Sequence, residues 1–221
     1  MQFRTILTLI VAAVACGAQA QSRGDDLILD MNQAYKRGDT RKLSQMLPQL
    51  RGHALEPWAA YWELRARLDS ASVQEIQDFM TRWAGTYQED RLRNDWLLML
   101  GQRRDWTTFE AEYPKFRMND DREVRCYALL VQHITQGAAA PATLADEVRP
   151  NWHAQREADD GCAHAASRLI GERDGPRRAG GLTAQDAWVK ARLATEANRP
   201  RAATKAVEII SPESLPLMAE L

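Results

Sequence analysis

Apolar residues recur at spacings of three and four along almost the whole chain, the period of one face of an α-helix. Residues 26–37 carry Leu27, Leu29, Met31, Ala34 and Tyr35 and stop near Gly38. Residues 40–47 read as a second short helix, closed by Pro48. Pro57 suits the first position of a third helix, where its missing N–H costs nothing. From there Trp58, Tyr61, Trp62, Arg65 and Leu68 share a face. Ser72-Val73-Gln74-Glu75 has the form of a capping box and opens a helix presenting Val73, Ile76, Phe79, Met80 and Trp83 that ends at Gly85. The same periodicity predicts a helix over 88–102 and a short one from an Asp105 cap to Pro114. Others follow over 120–136, over 144–152 with a break at Pro150, and over 160–172. Thr183 with Asp186 starts one that runs to Asn198, and Pro200 starts another through Ile210. Pro212 opens a last segment, while 137–141 and 175–181 read as linker and loop. No segment alternates convincingly as a half-buried strand does.

Eleven or twelve short amphipathic helices joined by short breaks predict an all-α chain. None can bury its apolar face alone, so an irregular superhelix, or solenoid, of antiparallel helix pairs is expected. A strict 34-residue tetratricopeptide period is not found.

The first twenty residues change the picture of where the chain works. Arg4 precedes an uncharged apolar run over 5–16, and Ala18-Gln19-Ala20 places small residues where a signal peptidase reads them. This predicts a signal peptide over 1–20 and one α-superhelical domain over 21–221. Lipidation at Cys16 is the alternative, but it usually wants a larger aliphatic residue than Ala13. No second apolar run is long enough to cross a membrane, so no integral membrane segment is expected after cleavage. Localisation in the periplasm follows.

Losing Arg4 and no acid moves the formal net charge from −1 to −2. That near balance argues against a nucleic-acid partner. Two cysteines remain, Cys126 and Cys162, and in an oxidising compartment a disulfide is the default for an even number.

Candidate chemistry is sparse. There is no Gly-rich phosphate loop, no serine-nucleophile elbow and no His-Glu-x-x-His. His153, Asp159, Asp160, Cys162 and His164 form the sole grouping with metal-ligand spacing, and a disulfide at Cys162 with solvated histidines is the preferred reading. No metal or cofactor is expected. The acid pairs 25–26, 120–121 and 159–160 each sit near a helix start, where they favour the positive end of the dipole. No catalytic residue is assigned. Trp58, Tyr61 and Trp62 are the candidate glycan-stacking residues, set against core packing. Packing is also expected of Trp83, Trp96, Trp106 and Trp188.

Several segments in order resemble the N-terminal superhelical part of soluble lytic murein transglycosylases. They are Leu55-Glu56-Pro57-Trp58-Ala59-Ala60-Tyr61-Trp62-Glu63-Leu64-Arg65, the helix over 73–83, Leu92-Arg93-Asn94-Asp95-Trp96-Leu97 and Asp105-Trp106-Thr107-Thr108-Phe109. Val124-Arg125-Cys126-Tyr127-Ala128, Cys162, Gly180-Gly181-Leu182-Thr183 and Trp188 complete the set. The resemblance implies a periplasmic horseshoe of helices and a Cys126–Cys162 bridge. In that family the horseshoe scaffolds a lysozyme-like domain. That domain cleaves between N-acetylmuramic acid and N-acetylglucosamine and leaves a 1,6-anhydro end. The motifs of that domain do not follow, and Glu213-Ser214 is rejected as its catalytic pair because no cleft-forming sequence accompanies it. The expectation is therefore a scaffold without catalysis of its own, partnered by peptidoglycan glycan strands or by a lysozyme-like catalytic domain. The alternative is a free-standing periplasmic adaptor that binds proteins.

Overall fold

The computed structural model describes residues 24–137, 140–141, 143–170 and 181–212. The leader, Cys16, all of the 175–181 loop but Gly181, and Glu213 lie outside them. Among the described residues there are eleven α-helices and no strand, so the chain is all-α. The helices are α1 (24–36), α2 (Thr40–Met46), α3 (Glu56–Ala66), α4 (Val73–Arg82), α5 (Tyr87–Arg103), α6 (Trp106–Glu112), α7 (Arg122–Gln136), α8 (Leu144–Ala154), α9 (Gly161–Leu169), α10 (Ala184–Glu196) and α11 (Pro200–Ile210). The one extended contact is an isolated bridge between Ile170 and Leu182.

Local chemistry sets the helix starts. Ser72 and Glu75 form the expected capping box, with Ser72 N donating to Glu75 at 2.8 Å and Glu75 N to Ser72 Oγ at 3.2 Å. Asp105 caps α6 through Thr108 N. Asp121 accepts from Glu123 N and Val124 N, and Asp159 from Cys162 N. Thr183 N donates to Asp186 at 2.8 Å. Pro57 takes the second position of α3, one place later than the sequence suggests.

Three helix pairs are joined by one kind of turn. At α1–α2, α5–α6 and α10–α11 a single left-handed residue follows the first helix: Gly38 (φ 69°), Arg104 (φ 60°) and Asn198 (φ 56°). Its N–H returns to Tyr35, Gly101 and Thr195 O respectively, and the next N–H to Ala34, Leu100 and Ala194 O, all at 2.8–3.1 Å. This is the Schellman arrangement. The residue after it (Asp39, Asp105 or Arg199) begins the second helix. Counting from that residue, positions eight and five before it and four and seven after it are buried in every pair. They are Met31, Ala34, Leu43 and Met46; Leu97, Leu100, Phe109 and Glu112; Ala191, Ala194, Ala203 and Ala206.

The chain divides into two compact units, and the boundary between Asp95 and Trp96 falls within α5. In the first, Ile28, Met31 and Ala34 of α1 meet Leu43, Met46, Leu50 and Ala59, with Tyr35 and Trp62 packed against them. Apolar residues lie all round α3, unlike the one-sided faces expected of every helix, because it is covered from more than one direction. In the second unit α7, α8, α9, α10 and α11 share one core. It contains Leu130, Val148, Trp152, Ala166, Ala191 and Val207 around the Cys126–Cys162 disulfide.

Two packing expectations change. Pro150 does not break α8, which continues to Ala154. A proline inside a helix costs about 3 kcal/mol or more. Here Pro150 is exposed while Val148 and Trp152 on either side are buried. Arg149 pairs with Asp186 (2.8 Å), and His153 Nε2 lies 3.0 Å from Asp186 O, so this turn is fastened to α10. Trp188 is 48 % exposed rather than in the core, whereas Trp96 is buried as expected.

Candidate functional site

The first unit carries a row of four aromatic rings drawn from three helices. Tyr35 of α1 stacks on Trp62 of α3 with centroids 6.2 Å apart and planes 23° apart. Trp62 lies 6.0 Å from Trp58, one turn earlier. Trp58 lies 5.6 Å from Tyr87, the first residue of α5. Each spacing falls in the range where aromatic pairs attract. Tyr35, Trp58 and Trp62 are half-buried, and Tyr87 is 54 % exposed, so each of the four residues keeps surface open to solvent.

Tyr61 sits beneath this row, not in it. It is 6 % exposed, turns its edge to Trp58 at 82°, and donates its hydroxyl to Asp95 Oδ2 at 2.7 Å. Burial first, and then the Asp95 carboxylate, push that hydroxyl far above the ordinary phenol range, so it stays a donor. Arg65 Nε meets the same carboxylate at 3.0 Å. Tyr61 thus holds the platform from below. Trp58 and Trp62 were legible as a pair at one-turn spacing. Tyr35 and Tyr87 were not, because they join the row through helices distant in sequence.

The metal-spaced residues have other partners. Cys162 is bonded to Cys126. The His164 ring stacks on Trp106 at 6.5 Å and 13°. Asp160 takes a fork of hydrogen bonds from Arg104 (2.5 and 3.1 Å) and one from Tyr127 (2.5 Å). Burial raises its pKa, but those donors outweigh burial and hold it below the usual carboxylate range. Glu123 accepts from Asp160 N and Gly161 N, both at 3.0 Å, at the start of α9. Burial pushes its pKa up against those bonds. Lys190, 2 % exposed, donates to Gln155 O, and burial lowers the pKa of its ammonium. These bonds join the turn after α5 and helix α7 to the start of α9, and tie α10 to the end of α8, within the second unit.

Among the described residues no helix is long and apolar enough to cross a membrane. No protein-family model matches this chain, and neither a curated protein nor a solved structure does.

Proposed function

We propose that the chain is an exported helical scaffold that engages peptidoglycan glycan strands along the aromatic row of its first unit, without catalysis of its own. The observation that carries this reading is the row Tyr35–Trp62–Trp58–Tyr87, four partly exposed aromatic residues whose rings follow at successive spacings near 6 Å. Pyranose rings present apolar C–H faces. Aromatic side chains offer flat apolar area with little conformational freedom to lose, and a row offers it to successive sugars. The leader-like first twenty residues and the Cys126–Cys162 disulfide support an oxidising compartment. The ordered resemblance to lytic murein transglycosylases supports the glycan class.

The test is co-sedimentation of the mature, oxidised protein with purified sacculi, followed by mass spectrometry of anything released. Binding should weaken about fivefold or more in Trp58→Ala and measurably in Tyr87→Ala, since a stacking ring contributes on the order of 1 kcal/mol. Circular dichroism would check that both variants stay folded. Absence of sedimentation, or sedimentation untouched by both substitutions, would overturn the glycan reading in favour of a protein-binding adaptor. Release of anhydro-muropeptides would overturn the non-catalytic part.

A further inference from the structure

A second feature of the first unit lies on the other side of α3. Helices α3 and α4 run antiparallel and are clasped by ion pairs at both ends. Arg82 at the end of α4 binds Glu56 at the start of α3. Arg67, just past α3, binds Glu75 in the first turn of α4 at 2.7 Å. Between the clasps is a cleft of about 240 Å³ floored by Leu47, Ala60, Leu64 and Phe79. Ala60 and Leu64 are two residues out of phase with Trp58 and Trp62, about 200° round the helix. The cleft is therefore separate from the aromatic row and independent of the glycan reading.

Charge decides what the cleft can take. Arg67 is engaged by two carboxylates, Glu63 (2.8 Å) and Glu75, and Arg82 by Glu56. Asp78, on the rim, accepts a hydrogen bond from the Gln74 side-chain amide at 2.8 Å. Among the described residues no ion pair forms to Asp78, and Arg82, one turn on, is turned to Glu56. Three carboxylates, Glu63, Glu75 and Asp78, thus line the cleft with two guanidinium groups, each already paired. An anion would meet net repulsion. A neutral apolar group would cover Asp78 without pairing it, which is costly. An aliphatic stem ending in an ammonium satisfies both parts, laying methylenes on the floor and its charge at Asp78. The volume lies below the roughly 300 Å³ at which small-molecule pockets begin, so it suits one side chain.

We propose that this cleft binds a lysine-like alkylammonium side chain presented by a peptide. The probe is Nα-acetyl-lysine N-methylamide, titrated into ¹⁵N-labelled oxidised protein and followed by amide chemical shifts. Shifts should centre on 60–67 and 75–83. The norleucine analogue, which keeps the methylenes and lacks the amine, should bind at least about tenfold more weakly. Asp78→Asn should weaken the lysine probe about fivefold or more, and added salt should weaken it further. Asp78 is exposed, so this substitution leaves the fold intact. Equal binding of the norleucine analogue, unchanged binding to Asp78→Asn, or shifts centred elsewhere would overturn the proposal. Binding of n-butylamine as tight as that of the peptide analogue would overturn the peptide as its source.

Discussion

Gly101 lies inside α5, where alanine is ordinarily the better helix residue by about 1 kcal/mol. Here a Cβ would stand 2.4 Å from two carbons of the Tyr127 ring, itself fully buried. Tyr127 cannot easily retreat, since its hydroxyl is held by Asp160 and its ring is packed by Trp106 and Phe109. Overpacking of this kind costs about 1–3 kcal/mol, so the clash outweighs the gain in propensity. Gly101→Ala should therefore lower stability, by up to about 2 kcal/mol, in urea unfolding. The histidines give a second expectation. Burial lowers the folded-state pKa of His153 and His164 below the unfolded value near 6.5. A depressed pKa means the neutral form is favoured on folding. The contribution is therefore complete above about pH 6.5 and is lost as pH falls through the folded-state values. The melting temperature should fall on acidification below pH 6.5, and the double change His153→Gln with His164→Gln should flatten that slope. The two histidines were visible in the sequence as metal candidates. Their real partners, Asp186 O and the Trp106 ring, were not, because both lie on other helices.

At the scale of the elements, the turn shared by three helix pairs separates two effects of a left-handed residue. A non-glycine residue there costs roughly 1 kcal/mol, somewhat less for asparagine. Asn198→Gly should relieve that strain and stabilise by about 0.5 kcal/mol. Arg104→Gly relieves the same strain but loses the fork to Asp160 and the guanidinium 5.8 Å from the Trp106 ring centroid. Thermal unfolding should show a gain for the first and no gain, or a loss, for the second. The same turn shows why the repeat escaped a search by period. The left-handed position is held by Gly, Arg and Asn, and the capping residues stand at 39, 105 and 199, at unequal intervals. What repeats is burial at fixed offsets from the cap, filled by methionine, leucine, phenylalanine, alanine and, once, glutamate. The caps at Ser72, Asp105 and Thr183 were legible because each uses a side chain three residues from its partner. The continuation of α8 through Pro150 was not, because distant contacts to Asp186 hold it.

For the molecule as a whole, the disulfide acts within one of the two units. Cys126 of α7 and Cys162 of α9 are 36 residues apart, and all of α8 lies in the loop they close. The chain-entropy account puts such a bridge at about 3–4 kcal/mol. Both cysteines are fully buried among α7, α8 and α9, so their loss also removes packing at the centre of the second unit's core. The first unit has its own buried cluster, built from α1, α2 and α3, in which neither cysteine takes part. Local opening free energies can therefore differ between the units. In the double variant Cys126→Ala with Cys162→Ala, amide hydrogen exchange should accelerate strongly in α7, α8 and α9 and little in α1 to α4. Mass spectrometry of peptic fragments would read this helix by helix. Equal acceleration throughout would mean that the two units open as one, despite their separate cores. Acceleration confined to the second unit would leave the aromatic row and the α3–α4 cleft on a body that stays folded when the bridge is lost. Binding at those two sites would then persist in the variant while the second unit loosens.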